Sequence, residues 1–433
     1  MLHPKHTRTI GKTLKKVLAR RGGGSALPGL VVEKLDPAFL QRTLSQLPKG
    51  VVVVSGTNGK TTTTKMIVQL LRASGLTVFT NPTGSNFTRG IAASLIDAID
   101  EEGNLQADVA VLELDEAHAV HFVRQVKPRY SLILNVLRDQ LDRFGEIDHT
   151  AKLLATVVDA TSHGIVLNRE DPLVRELADH VNKHKELQYF GLSRELTTLF
   201  PSDQNMRSQH NLDAIPVPHP HRNDVILETV EGQQATFAWG TKSQPPIELK
   251  VDGVYNMFNA AAALTLVRMV CGDEVESSVL LQELTQVRPA FGRGEAVDID
   301  GDPLEIVLVK NPSGFRLALA SYAERPAEVM IAINDNYADG RDMSWLWDVE
   351  FDSLRSTSTA AGVAMVSGIR GYDMALRLQY DDVTVSQVET SIPEALAKFL
   401  RRTKGIRRIY CTYTAMLVIR RELAKNYTVE AIE

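Results

Sequence analysis

Lys60 and Thr61 stand where a compact β-branched run, Val51-Val52-Val53-Val54, gives way to Ser55-Gly56-Thr57-Asn58-Gly59 and then to a helix-like stretch, Lys60 to Ala73. A buried strand that ends in small, turn-forming residues and opens a helix with Lys-Thr aims backbone N–H groups and a helix N-terminus at one point. Such a point holds an anion. There Lys60 would reach the β- and γ-phosphates of a nucleoside triphosphate, and the Thr61 hydroxyl would ligate Mg2+. The common G-x-x-x-x-G-K-[ST] form has glycine where this chain has Val54, so the strict pattern fails while the strand–loop–helix context holds. The bland alternative is a glycine-containing turn followed by a chance Lys-Thr. ATP or GTP is the expected ligand, held by Gly56, Thr57, Asn58, Gly59, Lys60, Thr61 and Thr62.

Other elements must hold that loop in place. Val109–Leu114, Leu132–Val136 and Ile165–Asn168 are further strand candidates, with helical periodicity between them and a helix over Thr88–Ile99. Strands alternating with helices imply a mostly parallel sheet covered on both faces. From about Pro201 to Pro246 the chain is rich in Pro, His, Ser, Asn and Gln, and Val225–Val230 and Gln234–Trp239 read as a hairpin around Glu231-Gly232-Gln233. This stretch is expected to be an insertion on the sheet domain. An alanine-rich helix follows from Asn256 to about Cys271, then a Pro/Gly-rich hinge near Arg288–Glu295. Beyond it Leu304–Val309, Val329–Ile333, Gly362–Val366 and Arg408–Thr412 read as strands of a second, smaller α/β domain. The division is a helical leader over 1–48, a central domain over 49–296 and a C-terminal domain over 297–433.

Composition agrees with this. At about 150 residues per domain, 433 residues make two or three domains, and 44% hydrophobic with 23% charged residues is ordinary for a globular chain. No apolar run approaches the roughly 18 residues of a membrane span, and the first residues lack the apolar core of a secretory signal. Two cysteines, Cys271 and Cys411, make neither a disulfide framework nor a four-cysteine zinc site, and their apolar surroundings suit packing rather than nucleophilic work. A net charge of −5 argues against nucleic-acid binding. The leader is the exception: Lys5, Arg8, Lys12, Lys15, Lys16, Arg20 and Arg21 occur without an acidic residue before Gly24, with Ile10, Leu14, Val17 and Leu18 at helical spacing. It reads either as a solvated helix packed by its apolar stripe or as a helix resting on an anionic membrane surface.

Gly56-Thr57-Asn58-Gly59-Lys60-Thr61-Thr62 resembles the ATP loop of the Mur ligase family, the ATP-dependent amide ligases of peptidoglycan synthesis and their folylpolyglutamate relatives; that form lacks the first glycine, which accounts for Val54. Asn81-Pro82-Thr83-Gly84-Ser85-Asn86 with Arg89-Gly90-Ile91, the stretch Arg138–Asp148, Lys310-Asn311-Pro312-Ser313-Gly314-Phe315 and Asn334–Trp345 resemble the MurT branch of that family, in order from about Leu27 to Leu417. The resemblance implies an α/β fold: a Mur ligase-like central P-loop domain with a parallel sheet and a small insertion, then a smaller Rossmann-like α/β C-terminal domain. It implies an ATP-dependent carbon–nitrogen ligase that activates the D-glutamate α-carboxylate of the peptidoglycan stem in lipid II. Ammonia from a separate GatD-type glutaminase subunit would then give D-isoglutamine, the two chains forming a heterodimer. Only about 50 residues precede the phosphate-loop strand, too few for a UDP-binding domain, which favours a lipid-linked substrate and gives the basic leader a role in peripheral contact with the membrane face; the lack of a span or signal and the two cysteines make a cytoplasmic protein the expectation.

The resemblance also assigns residues. Glu113, at the end of the run Val109–Leu114, matches the Mg2+-binding glutamate, and the carboxyl end of a parallel strand faces the ligand crevice. A rim carboxylate without metal is the alternative, and the adjacent Asp115 and Glu116 read as helix-start charges. Gln140 stands where many relatives have a metal-binding histidine, which puts a second metal in doubt; Asn135 and Asp139 would shape the substrate carboxylate pocket. Asn256 and Asn259 match the adenosine-contacting helix, with helix capping the alternative for Asn256. Arg293 matches a hinge arginine that meets the phosphates, and Lys310 belongs to the domain that closes over the nucleotide. Asp342 matches an aspartate that completes the partner's Cys-His-Asp triad, with a local helix cap the plainer reading; Trp345 and Trp347 read as core or interface anchors. Relatives with a zinc ribbon carry cysteines between 201 and 246. This chain has none there, and His210, His219 and His221 do not replace them, so no zinc site is expected. Two rival readings stand beside this one: a Mur- or folylpolyglutamate-type ligase that adds an amino acid, and an ATP-binding scaffold without ligase chemistry.

Overall fold

The structure is a computed structural model; it describes residues 4–19, 27–81, 86–137, 147–197, 218, 220–239, 242–251, 253–272, 275–288, 293–323, 325–358 and 362–429. The valine run forms strand β1 (Gly50–Ser55), and its alternating side chains feed two cores. Val52 and Val54 meet the helices Lys60–Ala73, Val254–Cys271 and Ser277–Leu284 on one face. Val51 and Val53 meet the leader, Thr88–Ala98, Glu116–Val123 and Ile147–Ala160 on the other. Burial on both faces explains why β1 reads as a continuous apolar run rather than an alternating one.

Strands β2 (Val78–Thr80), β3 (Val109–Glu113), β4 (Tyr130–Ile133), β5 (Gly164–Asn168), β6 (Glu186–Leu192) and β7 (Val225–Glu231) join β1 in the parallel order 2-3-1-4-5-6-7. The order reverses around β1, so β3 and β4 flank its carboxyl end, where α/β sheets place ligands. Strands β8 (Gln234–Trp239), β9 (Lys242–Ser243) and β10 (Ile247–Glu248) complete a ten-stranded sheet in antiparallel fashion. The hairpin expected to be an insertion is therefore the continuation of the main sheet: Phe190 to Leu192 of β6 pair with Val225 to Leu227 of β7. Most of the remaining stretch, with His210 and His219 and the expectation of no zinc, lies outside the described residues.

The second sheet runs β11 (Arg293–Ile299), β12 (Asp302–Leu308), β18 (Arg407–Cys411), β13 (Glu328–Ala332), β15 (Met365–Ser367), β17 (Val388–Glu389), parallel throughout except for the β11–β12 hairpin. It begins at Arg293, inside the stretch taken as central domain. Gly362–Val366 splits into β14 (Gly362–Val363), which pairs with β16 (Thr384–Val385), and β15. The helices Pro312–Ser321 and Gly371–Tyr380 cover one face, Ile392–Arg402 and Tyr413–Leu423 the other.

The leader is docked. Thr7 donates to the buried Asp36 at 2.9 Å, Arg8 donates to the Ile99 carbonyl, and Lys15 pairs with Asp97. Gly11 lies against Ile96, and Gly29 lies so close to the Arg89 carbonyl that a Cβ would come within 1.9 Å of it. These contacts fit the packed-helix reading, since Arg8 and Lys15 are engaged with the central domain. The helix Val254–Cys271 is long and apolar enough to cross a membrane, but 78% of it is buried, and it is the central helix of the first core.

Candidate active site

The loop after β1 is shaped by glycine and braced by asparagine. Gly56 (φ 129°) passes so close to β4 that a Cβ would stand 2.9 Å from the Asn135 nitrogen. Gly59 (φ 88°) is left-handed and opens the helix Lys60–Ala73, and a Cβ there would meet the Asn259 side-chain oxygen at 2.6 Å. Asn135, just past β4, holds the turn on both sides: its Oδ1 accepts from Asn58 N–H at 2.8 Å and its Nδ2 donates to the Asn58 carbonyl at 3.0 Å. The same Nδ2 lies 2.6 Å from the Tyr255 hydroxyl, at the start of the helix Val254–Cys271. Thr57 N–H donates to the Asn135 carbonyl, and its hydroxyl donates to the Leu137 carbonyl. Asn135, expected at the substrate carboxylate, thus braces the phosphate loop.

Charge gathers at the loop's exit. The Thr61 hydroxyl donates to Glu113 Oε1 at 2.9 Å, so the two expected Mg2+ ligands present adjacent oxygens. Glu113 is fixed by Asn81, whose amide bonds reciprocally with the Glu113 backbone at 3.0 Å each way. Lys60 is buried and donates to the Gly56 and Thr57 carbonyls; its ammonium also pairs with Asp115 at 3.1 Å and Glu116 at 3.7 Å. These two carboxylates are more than helix-start charges. Asp115 occupies the cap position of Glu116–Val123 without capping it, and its other oxygen accepts from Asn86 at 2.6 Å. Sequence reading missed this pairing because adjacency to Glu113 says nothing about which way the turn sends each side chain.

The second domain meets the loop directly. Asn311 Nδ2 donates to Asn58 Oδ1 at 3.0 Å, and Asn58 Nδ2 donates back at 3.4 Å, in a buried amide pair across the domain boundary. Asn311 also caps the helix Pro312–Ser321, accepting from Gly314 N–H at 2.7 Å. At that helix's far end, a Cβ on Gly253 would stand 2.6 Å from the Ser321 hydroxyl. Lys310 is the half-buried residue just before Asn311. Asn259 Nδ2 donates to Asn256 Oδ1 at 3.4 Å, and the Asn259 side-chain oxygen faces Gly59. Arg293 pairs through its backbone with Val307, and its side chain lies outside the described residues, as do Asp139 and Gln140.

Asp342 belongs to another part of this domain. Strands β12, β18 and β13 run parallel, so the segments after them, with Lys310, Thr412 and Asn334, leave one edge. Asp339, buried, ties that edge together: it accepts from the Thr414 N–H, the Thr414 hydroxyl and the Asn336 N–H. Burial pushes its carboxyl up despite those bonds. Asp342 is exposed and accepts from Ser344 N–H at 2.9 Å; bonds from Ser344 hold its carboxyl below the usual range. That bond closes a turn just ahead of the 3-10 turn Ser344–Asp348, whose cap position is Met343, and Asp342 still faces solvent. Trp345 is buried beside Phe315, whereas Trp347 is half-exposed and stacks edge-on with Tyr380.

Comparison with known proteins follows the same division. Residues 54–267 match the Mur ligase middle domain and 308–416 the MurT ligase C-terminal domain. A lipid II isoglutaminyl synthase (glutamine-hydrolyzing) subunit MurT from Streptococcus pneumoniae is 30% identical over 97% of this chain and 96% of its own. The chain belongs to the MurT family. A second MurT subunit, from Staphylococcus aureus, is 27% identical over 98% of this chain and 97% of its own. Among solved structures, MurF ligase from Thermotoga maritima in complex with ADP superposes with a TM-score of 0.66 at 17% identity, covering 92% of this chain and 84% of that one. The Mur ligase fold is therefore shared beyond the MurT family.

Proposed function

We propose that this chain is the ligase subunit of a glutamine-hydrolysing lipid II isoglutaminyl synthase. The observation that carries the reading is the Lys60, Thr61 and Glu113 cluster at the carboxyl end of β1, in a chain aligned nearly end to end with MurT subunits. ATP would lie with its phosphates at the N–H groups where the loop opens the helix and at Lys60, and its adenosine toward Asn256 and Asn259. Two hard oxygen donors, the Thr61 hydroxyl and the Glu113 carboxylate, suit Mg2+, which when bound neutralises phosphate charge. The stem-peptide α-carboxylate oxygen attacks the γ-phosphorus and ADP leaves; ammonia then attacks the acyl carbon and phosphate leaves, forming the carboxamide. Lys60, with Arg293 from the second domain, steadies the charge on the transferring group. Closure of the second domain keeps water from the acyl phosphate, with Lys310 beside the junction.

Ammonia must come from elsewhere. Cys271 and Cys411 are both buried, and burial drives the Cys411 thiol far up, so neither offers a thiolate to hydrolyse glutamine. The partner is a GatD-type glutaminase, received at Asp342 and at an exposed, mostly aromatic stripe of the same domain. Tyr372, Leu376 and Tyr380 lie four residues apart on the helix Gly371–Tyr380, and Trp347 leans on Tyr380. On this reading ATP is met in the cytoplasm and lipid II in the membrane, so the complex would act at the cytoplasmic membrane face.

The test is mass spectrometry of lipid II incubated with the purified chain, ATP, Mg2+ and ammonium chloride, then with a glutaminase subunit and glutamine. Conversion of the glutamate carboxylate to carboxamide in either arm is expected. Absence of ADP and product in both arms overturns the reading, and incorporation of a free amino acid instead would move the chain to the amino-acid-adding ligases.

A further inference from the structure

We propose that Asn311 is a positioning residue that makes the phosphate loop's geometry depend on the seat of the second domain. The inference rests on the ligase reading above. Asn58 is the middle residue of the loop, and its backbone is fixed on both sides by Asn135. Its side chain points away from that brace and meets Asn311 in a two-way amide pair; Asn311 is fully buried and Asn58 nearly so. An amide pair of this kind is uncharged, directional and short, so it forms at one relative placement of the domains and fails with a small displacement.

Asn311 is also rigidly held. Its oxygen caps the helix Pro312–Ser321, and Pro312 fixes the backbone at the helix's first position. The other end of the same helix rests on the left-handed Gly253, at the entrance of the helix that carries Tyr255, Asn256 and Asn259. Tyr255 returns to Asn135. The helix Pro312–Ser321 therefore touches the nucleotide-side machinery at both ends, and a hydrogen-bonded path runs from Tyr255 through Asn135 and Asn58 to Asn311. A second domain out of place leaves the Asn58 side chain without its partner, and the loop is then held from the Asn135 side alone. The pair acts on the step that needs the closed arrangement rather than on the first capture of ATP.

A kinetic double-mutant cycle decides this. Asn311→Ser keeps a hydroxyl that caps the helix but is too short to reach Asn58, and Asn58→Ala removes the other half without adding charge. In the holoenzyme with its glutaminase, each single variant is expected to lower kcat about tenfold, as loss of one directional contact in the transition state would. KM for ATP should stay within about threefold and the double variant should be no slower than the worse single one. Losses that multiply in the double variant, or a rise in KM for ATP with kcat unchanged, overturn the proposal. A fall in Tm for Asn311→Ser as large as for Asn311→Ala, with matching loss of kcat, shows only a lost cap and also overturns it. If the unmodified holoenzyme turns over no ATP, the ligase reading falls by itself. The cycle is then read in the Tm of the nucleotide-free variants, where additive losses reject the coupling and non-additive ones uphold it.

Discussion

Lys60 illustrates how a residue's company defines its work. It lies buried among two backbone carbonyls and two carboxylates, so its ammonium is fixed at the mouth of the loop rather than free to sample solvent. Lys60→Ala removes the cation that faces the transferring phosphoryl group and leaves Asp115 and Glu116 without it; kcat for ATP turnover should fall by at least about a hundredfold, measured as ADP release. Asp342 makes the opposite kind of prediction. Its carboxyl is held ionised by Ser344 and faces outward, so Asp342→Ala should reduce glutamine-driven amidation by about a hundredfold or more while ammonia-driven amidation stays within about twofold. Equal loss with both nitrogen sources would place Asp342 in the ligase step instead. At this scale the sequence was most legible where chemistry dictates order along the chain: Lys60 and Thr61 follow the loop, and Glu113 ends its strand. It was silent where contacts join distant turns, as with Asn81 on Glu113 or Asn311 on Asn58, because an asparagine suits a cap, a turn or an amide pair equally well.

Elements were legible when their pattern was strong and local. The valine run and the alanine-rich helix read as what they are, since each is buried on nearly every side. The hairpin Val225–Trp239 was recognised, but its place was not, because alternation reveals one solvent face and says nothing of which strand pairs along the edge. The leader gives a prediction of its own. Burial opposes ionisation of Asp36, but bonds from Arg42 and Thr7 outweigh it and hold its carboxyl below the usual value of 3.8. A lowered pKa means stability present at neutral pH and lost as pH falls through the folded-state value. Asp36→Asn should therefore cost about 2 kcal/mol near pH 7, read from chemical unfolding, and the gap to wild type should close below about pH 4. A gap that persists in acid would mean that Asp36 acts by packing alone.

At the scale of the whole molecule, the chain is two α/β units joined through a polar contact at the nucleotide loop, and the exposed apolar stripe proposed to receive the partner lies on the second unit. Trp347→Ala or Tyr380→Ala should weaken the glutaminase complex at least tenfold in Kd, measured by titration calorimetry, while leaving ammonia-driven activity intact, because exposed aromatics dominate such interfaces. Unchanged affinity in both variants would place the partner elsewhere. The two cysteines carry a last consequence. Cys271 sits in the core of the first sheet and Cys411 in that of the second, both shut away from solvent. A thiol-reactive dye can reach either one only when its own unit opens, so the rate of labelling at each position is a built-in clock for that unit alone. Run with and without a nucleotide analogue, the two clocks report whether the halves breathe together or one at a time.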